Sequence, residues 1–259
     1  MKNNKLIIVA VFSLLFTFQS NTMLAQTAKE IAQNVYNRKA PKDGESDMTM
    51  TLINSKNKKR VRSLHQFFKD FGSTEKKVMF FKAPADVKNT SFLNYSYDAA
   101  GKSDDQWLYL PALKKVKRIS ASSKDNSFMG SDFTYEDMEN RNPERDQHTL
   151  LRIETYNGES CYVVQMTPKK EEQYSKRIAW VMKDKWIPAK VEFYDEDGDL
   201  LKILEISDYK LIDGYWIVVS QTMKNVQKNH KTIISLSNIK MNINLDDSKF
   251  SQRAMQKGL

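Results

Sequence analysis

The chain has 259 residues, 40% of them hydrophobic and 28% charged, with 41 Lys and Arg against 32 Asp and Glu for a formal net charge of +9. This length and apolar share suit one β-rich domain with a core of its own, and a single cysteine, Cys161, excludes a disulfide-stapled scaffold. The cations are mostly lysines dispersed among acids, which fits a solvated surface, anionic headgroups or an acidic protein partner and argues against nucleic-acid reading.

Lys2 and Lys5 form a positive leader, and 6–18 is an uncharged, mostly apolar run. This is the pattern of a secretory signal, and the run falls short of the roughly 20 apolar residues a spanning helix needs. Cleavage is expected after Ala25, leaving 26–259 as one soluble periplasmic domain with a formal charge of +7. No cysteine lies near the signal, so no lipid anchor is expected.

In the mature chain Ala28, Ile31, Ala32 and Val35 recur at helical spacing, and Pro41, Asp43 and Gly44 end the predicted helix. From Ser46 the period becomes two: Met48, Met50 and Leu52 share one face, while Asp47, Thr49 and Thr51 take the other. Further strands are predicted over 61–71, 77–81, 90–97, 106–110 and 116–120. Three dipeptides, Asn157-Gly158, Asp197-Gly198 and Asp213-Gly214, then separate strands at 150–156, 159–166, 188–194, 200–209, 209–212 and 215–223. Each dipeptide is expected to supply the positive φ angles of a tight hairpin. A last strand is predicted over 231–244, followed by a short helix through Met255 capped by Asp247 or Ser248.

Strands without intervening helices exclude a doubly wound α/β sheet, and roughly ten or eleven of them are more than a flat sheet comfortably holds. The expected fold is mainly β: a strongly curved, incompletely closed antiparallel barrel, with the N-terminal helix and a loop or helix from 127–145 covering its mouth. A two-sheet sandwich is the competing architecture.

The chemistry of the common enzymes is missing. His65, His148 and His230 have no metal-binding spacing, no nucleophile elbow is present, and Cys161 sits in a predicted strand as a buried thiol. Asp195, Asp197 and Asp199 flank Gly198 as a hairpin turn rather than a calcium loop. No catalytic residue, metal or cofactor is assigned.

The most informative stretch is 105–138, DQWLYLPALKKVKRISASSKDNSFMGSDFTYEDM. With the leader, the N-terminal helix and the Met-alternating first strand, its DQWLYLPALKKVKRIS and SFMGSDFTYEDM segments resemble the LolA-like outer-membrane lipoprotein-sorting proteins, in the branch associated with large multi-pass lipid exporters. The resemblance spans nearly the whole mature chain. It implies an unclosed barrel lined by apolar side chains and lidded by helices, which shields an acyl chain of a lipoprotein or lipid during transit toward the outer membrane. It also implies an inner-membrane exporter, an outer-membrane acceptor and transient membrane contact as partners of a monomer. No arginine here matches the one that latches the lid in the best-known carriers, so Arg60, Arg62 and Arg118 stay unassigned.

Alternation and apolar size nominate Met48, Met50, Leu52, Phe67, Phe80, Phe92, Trp107 and Tyr109 as the lipid-binding lining; ordinary core packing is the alternative for each. Phe128, Met129, Gly130, Phe133 and Tyr135 form a candidate plug, with Asp132, Glu136 and Asp137 to fix it by capping or by pairing with the basic run. Lys114, Lys115, Lys117 and Arg118 are candidates for the rim or a partner surface, with a solvated hairpin flank as the alternative. The competing function is a non-catalytic interaction protein, either a lipid-sensing regulator or an exporter adaptor.

Overall fold

A computed structural model describes residues 26–99 and 101–259; the expected secretory signal lies outside them. Thirteen strands make one antiparallel sheet: β1 (Asp43–Ile53), β2 (Lys59–Asp70), β3 (Thr74–Ala83), β4 (Ser91–Tyr97), β5 (Asp105–Leu110), β6 (Lys115–Arg118), β7 (Asp146–Tyr156), β8 (Glu159–Pro168), β9 (Lys176–Met182), β10 (Pro188–Tyr194), β11 (Leu200–Ile212), β12 (Tyr215–Asn225) and β13 (His230–Met241). Helix α1 (Ala28–Tyr36) precedes the sheet and α2 (Gln252–Lys257) follows it.

The order is β6-β5-β4-β3-β2-β1-β13-β12-β11-β10-β9-β8-β7. β1 and β13 pair with each other in the middle, so β6 and β7, adjacent in sequence, are the two free edges. The barrel is therefore incompletely closed, as expected, and the connection at 119–145 has to pass from one edge to the other. It does so as irregular chain with short 3-10 turns, packed on the concave side of the sheet.

The count exceeds the expected ten or eleven, and the strand absent from the expected set is β9, which escapes the period-two signal. Ala179 and Val181 face the concave core while Trp180 and Met182 face a convex cluster, so neither face is polar. β11 is likewise one strand with irregular register at 206–209 rather than two. The last strand stops at Met241, before the expected Asn244, because Asn242 and Asn244 take φ of 54° and 56°. There the Asp43 carboxylate accepts from the backbone N–H of Ile243 at 2.7 Å and of Leu245 at 3.1 Å, which satisfies the turned chain.

The hairpin dipeptides divide. Asn157-Gly158 and Asp213-Gly214 have positive φ at both positions, whereas at Asp197-Gly198 only the glycine does. In that third turn the Asp195 carboxylate instead accepts from the Asp199 N–H at 2.8 Å. Gly44 answers a different need: a Cβ there would lie 2.5 Å from the Lys240 carbonyl oxygen.

Helix α1 opens with a capping box in which Thr27 and Glu30 satisfy each other's backbone N–H groups. Its Ile31 is fully buried, worth about 1.5–3 kcal/mol of apolar transfer. After β13, Asp246 caps a 3-10 turn at Asp247–Phe250 and Ser251 caps α2, in place of the expected Asp247 or Ser248.

Three clusters result. The largest fills the concave side and joins α1, the crossing segment and the inner face of the sheet. A second lies on the convex side of β2–β6, where Phe250, Leu245 and Met255 cover Phe67, Val78, Phe80 and Leu93. The third, around Trp180 and Cys161, lies on the convex side of β8–β12. Its surface is closed by cations lying over rings, such as Lys190 over Trp180 at 4.2 Å.

Candidate functional site

The concave side holds the candidate site, a groove between the sheet, α1 and the crossing segment. Met48 and Met50 are buried there and Leu52 packs beside them, with Phe92 fully buried further along the same face. Phe67, Phe80, Trp107 and Tyr109 point the other way, into the convex cluster beneath the C-terminal segment. The expected lining is thus two sets on opposite faces. The period-two rule sorts residues within a strand but does not say which face is concave, and here both faces of β2–β5 are apolar.

The plug residues come together. Phe128 and Phe133 are buried, and Phe128 packs against Phe81, Phe92 and Tyr135 at ring-centroid distances of 6.3, 5.0 and 5.5 Å. Met129 and Gly130 take φ of 51° and 74°, reversing the chain so that Phe128 and Phe133 both turn inward. The Met129 carbonyl accepts a hydrogen bond from the Arg62 guanidinium, so Arg62, unassigned in the sequence, ties this turn to β2. Arg118 pairs instead with Asp105.

Three cavities follow one another along the groove. One of about 400 Å³ is lined by Met48, Met79, Met138, Ile234 and Leu236. One of about 340 Å³ shares Met138 and adds Phe133, Met166, Phe193, Leu204 and Met223. One of about 180 Å³ shares Met166 and Val191 with the second and lies under Ile31, Ala32 and Val35 of α1. The first two fall within the roughly 300–1,000 Å³ typical of ligand pockets. Five methionines among the lining residues give it deformable, polarizable walls.

Lys114, Lys115, Lys117 and Arg118 line none of these cavities. They sit at the turn before β6 and on that free edge, away from the groove, where exposed cations also discourage edge-to-edge strand pairing. Nor do they fix the plug. Its acids reach buried cations on the sheet instead, Asp137 meeting Lys202 at 2.5 Å and Glu136 meeting Arg177 at 2.7 Å, and Glu136 also meets Arg141 of the crossing segment at 3.1 Å. Asp132 accepts from the Thr232 hydroxyl at 2.7 Å, and burial raises its carboxyl above the ordinary value.

The network extends through Arg141 to Asp146 at 2.5 Å and Glu172 at 2.8 Å, through Arg145 to Glu139 and Glu172 at 2.8 Å each, and through Lys124 to Glu139 at 2.5 Å. Burial depresses the Lys202 ammonium, partly offset by Asp137, while burial and the same carboxylate push the Tyr174 phenol upward. Among the described residues no group of three or more His, Cys, Asp or Glu is placed to hold a metal ion. Cys161 is fully buried and burial raises its thiol, which removes nucleophilic character.

A crystal structure of a putative outer membrane lipoprotein-sorting protein domain from Vibrio parahaemolyticus is 35% identical, covering 88% of this chain and 98% of that one with a TM-score of 0.83. The chain belongs to the LolA-like lipoprotein-sorting family. A DUF1329 family protein from Desulfovibrio piger is 33% identical over 88% of this chain and 97% of its own, with a TM-score of 0.84. A LolA superfamily protein from Nitrosomonas europaea, 20% identical with a TM-score of 0.69, covers 89% of this chain and 100% of its own and shares the fold. A family model for an uncharacterized protein matches residues 73–257, and no curated protein matches the chain. The fold is thus shared with the lipoprotein-sorting protein domain and the LolA superfamily protein, and no helix among the described residues is long and apolar enough to cross a membrane.

Proposed function

We propose that this protein is a periplasmic, non-catalytic carrier that holds the acyl chain of a lipoprotein or lipid in the concave groove during transfer toward the outer membrane. The observation that carries the reading is the run of Met-lined cavities between the sheet, α1 and Met138 of the crossing segment. Burying about twelve methylenes there yields on the order of 10 kcal/mol at ~0.8 kcal/mol each, enough to hold a chain against water. The crossing segment is the cover. Its apolar residues compete for the same concave wall, so the groove can both accept a chain and give it up.

The test is to purify residues 26–259 from a periplasm under gentle conditions and examine the protein by native mass spectrometry and organic extraction. A stoichiometric acylated molecule supports the carrier. A protein that stays empty after incubation with lipoprotein and membrane lipid refutes it and leaves the exporter adaptor, which would bind its partner without lipid.

A further inference from the structure

On the acyl-carrier reading, we infer that the groove contains a polar subsite at Arg177 that receives the carbonyl oxygen of an acyl ester or amide, so that the cargo is an acyl-linked rather than an alkyl-linked chain. Arg177 lines the middle cavity at a polar end shared with Glu136, Asp137, Glu139 and Arg141, while the apolar walls include Phe133, Met138, Met166, Phe193 and Met223. The residue is only 6% exposed. Its Nη2 reaches Glu136 at 2.7 Å, and one face of the guanidinium lies over the Tyr174 ring at 4.7 Å. Its Nη1 is buried and has no hydrogen-bond acceptor, the Glu172 carboxylate being 3.9 Å away. A buried N–H without an acceptor costs about as much as a lost hydrogen bond, and at the polar end of this cavity the missing acceptor is a group that the occupant would supply.

Charge decides which acceptor. The cations of this cluster are Lys124, Arg141, Arg145, Arg177 and Lys202, and its carboxylates are Glu136, Asp137, Glu139, Asp146 and Glu172. The set is already balanced. A fatty-acid carboxylate would add an uncompensated charge in a site shielded from water, whereas an ester or amide carbonyl satisfies the N–H at no charge cost. An acyl chain entering between Met138 and Met223 then has a fixed depth, set by its carbonyl at Arg177.

The experiment compares 1-palmitoyl-lysophosphatidylglycerol with its 1-O-hexadecyl ether analogue and with palmitate, titrated into delipidated 26–259. A hydrogen bond from a charged donor predicts that the ester binds about tenfold or more tightly than the ether. A ¹³C label at the ester carbonyl should show its infrared stretch displaced to lower frequency on binding. Arg177→Lys, which keeps the charge opposite Glu136, should lose the infrared shift and bring the ratio of ester to ether affinity to about one. Equal binding of ester and ether by the wild type, with an unshifted carbonyl, overturns the subsite and leaves the carrier standing. Palmitate binding more tightly than the ester also overturns it. Failure of all three ligands to bind refutes the carrier reading and the subsite with it. The wild-type comparison stands even where the Arg177 variant folds poorly.

Discussion

The Lys202–Asp137 pair joins the crossing segment to β11, and a double-mutant cycle measures how firmly. Lys202→Met leaves Asp137 buried with two remaining donors, the Thr134 N–H at 2.7 Å and the Tyr174 hydroxyl at 3.2 Å. Breaking one side of a buried pair costs roughly 3–5 kcal/mol, and those two bonds place the loss near the lower end, about 3 kcal/mol. Asp137→Asn leaves Lys202 with the Asp132 carbonyl at 3.3 Å and the rings of Tyr174 and Phe193 at 4.9 and 5.2 Å. Burial already depresses this ammonium, so it sheds its proton readily and the loss should be nearer ~2 kcal/mol. The double variant has no unpaired charge. It should lose about 3 kcal/mol rather than the ~5 kcal/mol of the sum, a coupling of about 2 kcal/mol. Urea unfolding followed by far-UV circular dichroism gives the energies, and hydrogen exchange of amides 121–145 reports whether the segment loosens before the sheet. Single losses that add to within ~0.5 kcal/mol would refute the assignment of this pair as the fastening of the cover.

Met138→Trp fills the two cavities that Met138 separates; it should sharply reduce lipid occupancy by extraction while costing only ~1–3 kcal/mol in stability, and equal loss of both would mark Met138 as ordinary core. Thr27→Ala removes half of the capping box and should cost ~1 kcal/mol by urea unfolding. Burial holds the His148 imidazole below its ordinary 6.5, so the unfolded chain binds more protons as pH falls below that value. This contribution to stability is full above 6.5 and is lost on acidification, and His148→Gln should flatten that part of the pH profile. Bonds from Asn238 and then His65 lower the Asp47 carboxyl to about 2, so its contribution is full above 3.8 and is lost as pH falls through about 2. Carboxyl NMR should find that Asn238→Ala moves this midpoint back toward 3.8.

The fold was legible in the sequence where one face of a strand is wet. β1 alternates Met48, Met50 and Leu52 with Asp47, Thr49 and Thr51, and the structure buries Met48 and Met50 while Leu52, half-buried, packs against the same core. β9 was not legible, because a strand buried on both faces has no period to read. Of the eight residues nominated for the lining, Met48 alone borders any of the three groove cavities; Phe80 and Phe92 look alike as large apolar strand residues, but they lie on opposite faces, one under the C-terminal segment and one under the plug. The buried cations carry a signal of their own in the sequence. Lys202 shares its face with Leu204, Arg177 with Ala179 and Val181, and Arg62 with Leu64. A cation at an apolar position of a strand must find a carboxylate or carbonyl inside, and all three find theirs on the crossing segment.

That common destination explains why the cover is fastened by polar contacts as well as by its aromatic plug. Apolar contact alone does not choose a position, because any greasy segment or acyl chain satisfies the same concave wall equally well. Asp137 on Lys202, Glu136 on Arg177 and Met129 on Arg62 do choose one, since each leaves a buried charge or N–H unsatisfied when displaced by a residue. Phe128 and Phe133 supply much of the apolar burial and the polar contacts supply the register. A chain entering the groove then competes with the aromatics for wall space, while Asp137 and Glu139, which border both the Met48 cavity and the one beside it, keep their cations. On the carrier reading the cover yields at Phe128–Phe133, giving up the Arg62 bond to the Met129 carbonyl, while remaining tethered at 136–146, and exchange at those two stretches should differ in response to lipid.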